Sequence, residues 1–171
     1  ERTSTCRRGW RCARNKKKIR RPMNHRDVMK KYNEFVSVIE KRLGKNTTTD
    51  NTELYRVGRE LFGARFKGVY ASDGIPTLTA KQPYAVVNNK AAASGGEHWL
   101  GIARIPRTGR VLVYDSYGRS HKTLLPGTLP PGSHDTDRDI EQSVAQTNCG
   151  QRSLAWLVVF DKLGPAAARL V

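Results

Sequence analysis

The sequence predicts one α+β domain behind a basic N-terminal arm. Three observations carry the prediction. Two stretches of helical periodicity come first, between Asn24 and Gly63. Short alternating segments joined by a Pro-Arg-Thr-Gly turn follow, between Tyr84 and Asp115. An apolar run then starts after Cys149 and stops at Gly164-Pro165. Helices, a sheet and a last helix are segregated along the chain, as in α+β folds, and do not alternate. With 171 residues and 37% hydrophobic composition, the chain is long enough for a single real core.

The arm comprises residues 1–23 and the domain residues 24–171. The arm has no hydrophobic period. The net charge is +16, and residues 1–31 hold 13 Lys/Arg against Glu1 and Asp27, so most of the excess lies there. A solvated, disordered arm is the plain reading. The sharper one is a nuclear-localisation or nucleic-acid arm centred on Lys16–Arg21. Its expected phosphate contacts are Arg7, Arg8, Arg11, Lys16, Lys17, Lys18, Arg20 and Arg21, with DNA as the partner. Trp10 would stack on bases or pack on the domain. Cys6 and Cys12 lack a second ligand pair for zinc even with His25 nearby, so no metal is expected and they read as free thiols or a redox pair. Three cysteines form no disulfide framework, and no apolar run spans a bilayer. No secretory signal is seen, so an intracellular compartment and no membrane partner are expected. Glu1 in place of Met reads as a start trimmed by processing or by choice of ends.

Asn24 is placed to cap a first helix carrying Val28, Tyr32, Phe35, Val36, Ile39 and Leu43, with Gly44 ending it. Thr49 or Asp50 caps a second, with Leu54, Tyr55, Val57, Leu61 and Phe62 on it and Gly63 as the stop. Residues 63–82 read as loop, with Asp73-Gly74 and Ile75-Pro76 as turn signals. Tyr84–Val87 reads as a strand. Glu97–Ile105 and Arg110–Asp115 read as a hairpin. Residues 116–139 read as loop, and Leu154, Leu157, Val158 and Phe160 mark a buried helix after Cys149.

Chemistry concentrates at a few of these positions. Cys149 stands where a polar loop becomes a helix, and a helix N-terminus favours a thiolate. Gly150 beside it leaves room for backbone near a substrate carbonyl. A lone cysteine is most often an inert buried one, so this position needs partners. His98, on the first hairpin strand, is a candidate base, whereas His121 and His134 in loops are expected to be solvated. Asp115 ends the second strand 17 residues later, where an antiparallel hairpin returns it to the same end. Gln142, seven residues before Cys149, offers an amide N–H that could join the Cys149 N–H in an oxyanion hole. Gln146 competes for that role.

Taken together, His98-Trp99, Asp115, Gln142 and Cys149-Gly150 resemble the superfamily of cysteine peptidases formed by adenovirus proteases and SUMO proteases. Gly95-Gly-Glu-His98-Trp99, the Pro-Arg turn and Asp115-Ser-Tyr-Gly118 are similar to motifs of adenovirus proteases, the adenains, in particular. The resemblance covers about residues 95–160. It implies a papain-like α+β fold, with a mixed sheet whose His/Asp hairpin packs on the helix that starts at the nucleophile. It implies His98 as general base, Asp115 as its orienter, Cys149 as nucleophile and Gln142 as oxyanion donor. Asp at 115 replaces the Glu of adenains and agrees with SUMO proteases. Only 22 residues follow Cys149, and no cysteine matches the adenain attachment site for an activating peptide.

The implied activity is a viral maturation endopeptidase that cleaves capsid or core precursors after Gly-containing motifs. No cofactor is expected beyond DNA as an activator. The protein would act as a monomer or capsid-associated, in the virion interior and in the host nucleus or a cytoplasmic virus factory. A SUMO or ubiquitin-like-protein protease is one rival. An inactive, DNA-binding virion component that keeps the fold is another, and a zinc module a distant third.

Overall fold

A computed structural model describes residues 21–171. Arg7, Arg8, Arg11, Lys16, Lys17, Lys18 and Arg20 lie outside the described residues, as do Cys6, Trp10 and Cys12. Arg21 is exposed ahead of the first helix.

Helix α1 spans His25–Leu43 and α2 spans Asn51–Phe62. Asn24 caps α1 by accepting from the Asp27 N–H at 2.9 Å. Asp50, rather than Thr49, caps α2 in a reciprocal box with Glu53. The strands are β1 Phe66–Tyr70, β2 Tyr84–Asn88, β3 Trp99–Arg104, β4 Val111–Tyr114 and β5 His134–Asp135. They form one mixed sheet in chain order, parallel at both edges (β1 with β2, β4 with β5) and antiparallel in the middle. A short α3, His121–Leu124, precedes β5, and α4 Cys149–Leu163 and α5 Pro165–Ala168 close the chain. No helix of the described residues is long and apolar enough to cross a membrane.

The strand alternation divides the core in two. Tyr84, Val86, Ala103, Leu112 and Tyr114 face the helices, and Ala85, Val87, Leu100, Ile102, Val111 and Val113 face the other side. There Leu78, Leu124 and Leu125 cover them. On the helical side α4 lies against β3. Gly101 permits this approach: a Cβ there would sit 2.8 Å from the Trp156 ring and 3.3 Å from the Ser153 carbonyl oxygen. Trp156 stacks on Tyr114 at 5.5 Å and donates its indole N–H to the Ala168 carbonyl, fixing α5. The helix that begins at Cys149 is thereby set across the hairpin strands.

Several elements depart from the sequence reading, among them α5, which follows the Gly164-Pro165 stop. Strand β1 lies within the stretch read as loop, because Gly68 interrupts the apolar alternation and the pairing register shifts there. Elements α3 and β5 lie within 116–139 and are too short for any period to show. His121 is buried, not solvated; its Nδ1 meets Asp135 Oδ1 at 2.8 Å. His134 is half-buried, with Arg169 Nη2 2.9 Å from its Nε2. The hairpin strands are also shorter than expected, so His98 stands one residue before β3 and Asp115 one residue after β4.

Replacing Gly101 with Val should lower stability by about 1–3 kcal/mol, since a branched side chain must push α4 off the sheet. Thermal denaturation checks this, and an unchanged Tm would show that α4 does not rest on β3.

Candidate active site

The antiparallel register of β3 and β4 pairs Gly101 with Tyr114 and Ile102 with Val113. Carried on past the strand ends, it sets His98 opposite Tyr117, and the two rings lie 5.1 Å apart. Asp115 reaches the imidazole from the same end of the hairpin, with Oδ1 2.5 Å from His98 Nε2. Both residues are buried, each with 4% exposure. Helix α4 brings in Cys149, near enough to His98 that each group acts on the other's proton, and with Nε2 turned to Asp115 it is Nδ1 that is left for the sulfur.

The electrostatics follow from these contacts. Burial disfavours charge on all three groups, and the contacts outweigh it. Burial pulls the His98 pKa down, but the bonds to Asp115 and Cys149 bring it above the ordinary imidazole value. Burial pushes the Cys149 thiol up, but His98 and the backbone N–H groups of Trp99 and Gly150 bring it below the ordinary thiol value. The Asp115 carboxyl is also pushed up by burial, yet His98 and Arg119 lower it to about 2. All three shifts run toward a thiolate–imidazolium pair backed by a carboxylate.

Gln142 is buried, and its Oε1 accepts from the Ser116 hydroxyl at 2.7 Å. Its Nε2 donates to the Gln146 carbonyl at 2.6 Å and to the Tyr117 hydroxyl at 3.1 Å. The amide nitrogen is thus on the side of Tyr117, whose ring lies against His98. The Gln146 side chain is turned into its own loop, accepting from the Ser143 N–H at 2.9 Å and from Arg152 at 3.4 Å.

The loop that leads into Cys149 is braced from residues that the sequence did not mark. Asn148 does not cap α4; its amide donates to Glu40 of α1 at 2.7 Å and its oxygen accepts from Arg152 Nε at 3.0 Å. Arg152 also donates to the Tyr32 hydroxyl at 3.2 Å. An arginine inside an apolar helical run is the one signal that could have pointed to this brace, because its charge must be paired when buried. The α1–α2 connection adds further ties. Asn46 accepts from the Thr147 N–H at 2.8 Å, and Gln151 donates to the Gly44 and Thr47 carbonyls. Gly150 serves this packing: a Cβ there would lie 2.2 Å from Thr49 Oγ1 and 2.9 Å from Leu54. What a side chain at Gly150 would meet is thus Leu54 of α2 and Thr49, the residue before its cap.

Cys149 and Trp99 line a cleft of about 500 Å³. Thr48–Asn51 form one wall and small residues, Ala91, Ala92, Gly95 and Gly96, another. Away from the cleft, His25, Asp137 and Asp139 place metal-type ligand atoms within 4.8 Å of one another, all on exposed residues.

The folded Asp115 pKa of about 2 is below the ordinary 3.8, so the unfolded chain takes up this proton first as pH falls. The carboxylate therefore contributes stability that is complete above pH 4 and lost toward pH 2. By that shift it is worth about 2 kcal/mol at neutral pH. The stability difference between wild type and Asp115→Asn, followed by urea unfolding, should shrink across this window; a constant difference would show that the charge of Asp115 is not what matters.

Comparison with known proteins covers the middle of the chain. Residues 66–126 match the family model described as adenovirus endoprotease. Over 61 residues the chain is 39% identical to the protease of fowl adenovirus A serotype 1, strain CELO/Phelps. That match covers 35% of this chain and 30% of the fowl adenovirus protein, so the chain aligns with less than a third of the relative's length. The matched segment runs from β1 through α3; His98 and Asp115 fall inside it, and Gln142 and Cys149 follow it. Through the segment that carries the candidate base and acid, the chain is adenain-like, similar to the adenovirus endoproteases, with an α+β fold of their type.

Proposed function

We propose that this protein is a viral cysteine endopeptidase whose nucleophile is Cys149. The observation that carries the reading is the short His98–Asp115 hydrogen bond with Cys149 beside that imidazole at the edge of a cleft. A thiolate, a base able to hold and return a proton, and an orienter for that base are what acyl transfer by cysteine requires.

In the proposed reaction the Cys149 thiolate attacks the scissile carbonyl carbon. The oxyanion is held by the Cys149 N–H and, after the Gln142 amide turns from the Gln146 carbonyl, by that amide. The His98 imidazolium gives its proton to the leaving amine as the tetrahedral intermediate collapses to a thioester. Neutral His98 then takes a proton from water, the hydroxide attacks the thioester, and the released thiolate and imidazolium re-form the pair. Asp115 keeps the ring oriented throughout and compensates the imidazolium charge. The small residues along one cleft wall favour substrates with glycine near the scissile bond.

The substrates of this reading are capsid or core precursor proteins, processed in or near the virion, with DNA as an activator bound by the basic arm. The similarity to adenovirus endoproteases favours it over a SUMO-protease role. Tagged capsid precursors presented beside a SUMO-aldehyde probe separate the two, and labelling by the probe without precursor cleavage would sink the viral reading.

Cys149→Ala should abolish cleavage, a loss of at least about 10³-fold, with the circular dichroism spectrum and DNA affinity unchanged. Retained cleavage would mean that another residue is the nucleophile. Deleting residues 1–21 should weaken DNA binding and flatten the dependence of log affinity on log salt. An unchanged slope in a salt titration would place the DNA surface elsewhere, such as Arg104, Arg107 and Arg110.

A further inference from the structure

Arg119 stands apart from the roles assigned so far, yet it touches the base's support on two sides. Its backbone N–H and its Nε both donate to Asp115 Oδ2, at 2.8 and 3.0 Å. Oδ2 is the carboxylate oxygen that His98 does not use. The Arg119 guanidinium also lies over the Tyr117 ring, 5.0 Å from its centre. Tyr117 packs on the His98 ring from one face and receives the Gln142 amide N–H on its hydroxyl. One side chain thus links the acid, the ring beside the base and the glutamine that stands ready for the oxyanion.

Arg119 does not line the cleft, so its influence on substrate passes through these neighbours. We infer that Arg119 is a positioning residue that shares the Asp115 carboxylate with His98 and so keeps the imidazolium acidic enough to release its proton to the leaving group. The inference rests on the reading of His98 and Asp115 as base and orienter.

The physical argument is a competition for one charge. A carboxylate facing only His98 would place its whole charge on the imidazolium and hold that proton strongly. With Arg119 on the second oxygen, part of the charge is compensated, and the two positive groups also repel. Asp115 at the hairpin end and Cys149 from α4 act on the His98 proton directly, and Arg119, from the loop after β4, bears on it through Asp115. Glu97, next to His98 in the chain, also feels the Arg119 charge and is tied to Lys90 at 2.9 Å. It therefore offers Arg119 only a partly compensated alternative partner. A fixed Arg–carboxylate contact also removes rotational freedom from Asp115, which holds Oδ1 on the ring.

The test uses the full chain in three forms: wild type, Arg119→Gln and Arg119→Lys. The titration of His98 is followed by the NMR shifts of its ring nitrogens, and kcat and KM by cleavage of a glycine-containing precursor peptide. Arg119→Gln should raise the pH at which His98 loses its proton by about one unit. It should also lower kcat roughly tenfold with KM unchanged. Arg119→Lys, which keeps the charge, should titrate as wild type. A His98 titration that stays in place in Arg119→Gln, or moves equally in both variants, would overturn the role given to Arg119. Wild-type protein in which His98 titrates as a free imidazole, and which cleaves no peptide, would instead overturn the reading of the site itself.

Discussion

The short contact between His98 Nε2 and Asp115 Oδ1 is the constraint on which the rest of the site depends. Two ionisable side chains buried at the end of a hairpin are costly unless each is paired and hydrogen-bonded. The sheet meets that demand by register. Antiparallel pairing of β3 with β4 returns the chain so that Asp115, 17 residues after His98, comes to the same end of the hairpin and reaches its ring. Arg119 and Cys149 complete the pairing from outside, one on the carboxylate and one on the ring. These contacts offset the cost of burying the charges and shift the proton toward His98.

The thiol is held by a separate set of forces. Helix α4 is fixed on the sheet by the absence of a side chain at Gly101 and by the stacking of Trp156 on Tyr114. Its first turn is then tied to α1 and to the α1–α2 connection through Arg152, Asn148 and Gln151. These partners lie before residue 66, ahead of the segment that matches the adenovirus endoproteases. The hairpin that carries His98 and Asp115 therefore lies in the part similar to those proteins, and the N-terminal helices are what this chain uses to set Cys149 against it. In this network Asn148 and the Arg152 donors named above are satisfied, whereas the Gln151 side-chain oxygen is buried without a partner.

Much of this was legible in the sequence, and the limits have physical causes. Helices α1, α2 and α4 could be read because period and caps agree: Asn24, Asp50, Gly44, Gly63 and Gly164 all stand at helix ends. His98, Asp115 and Cys149 could be read because residue type, strand pairing and helix start together limit where they go. Strand β1 was hidden by Gly68, and β5, at two residues, has no period to show. His121 was misplaced because its burial depends on Asp135, a partner fixed only by tertiary pairing of β4 with β5. The packing role of Gly150 was not legible, because its neighbours Thr49 and Leu54 come from a region that no local pattern connects to it. Arg119 gave no signal at all, since an arginine in a basic chain reads as solvated surface until its carboxylate partner is seen.

The central claim is that Cys149 is a thiolate made by His98. The most direct measurement is the pH dependence of Cys149 carboxymethylation by iodoacetamide, followed by mass spectrometry of its own peptide so that Cys6 and Cys12 do not contribute. The account predicts a midpoint well below that of a free thiol, about 8.5, and a return toward that value in His98→Ala. A wild-type midpoint at the free-thiol value, unmoved by His98→Ala, would contradict it.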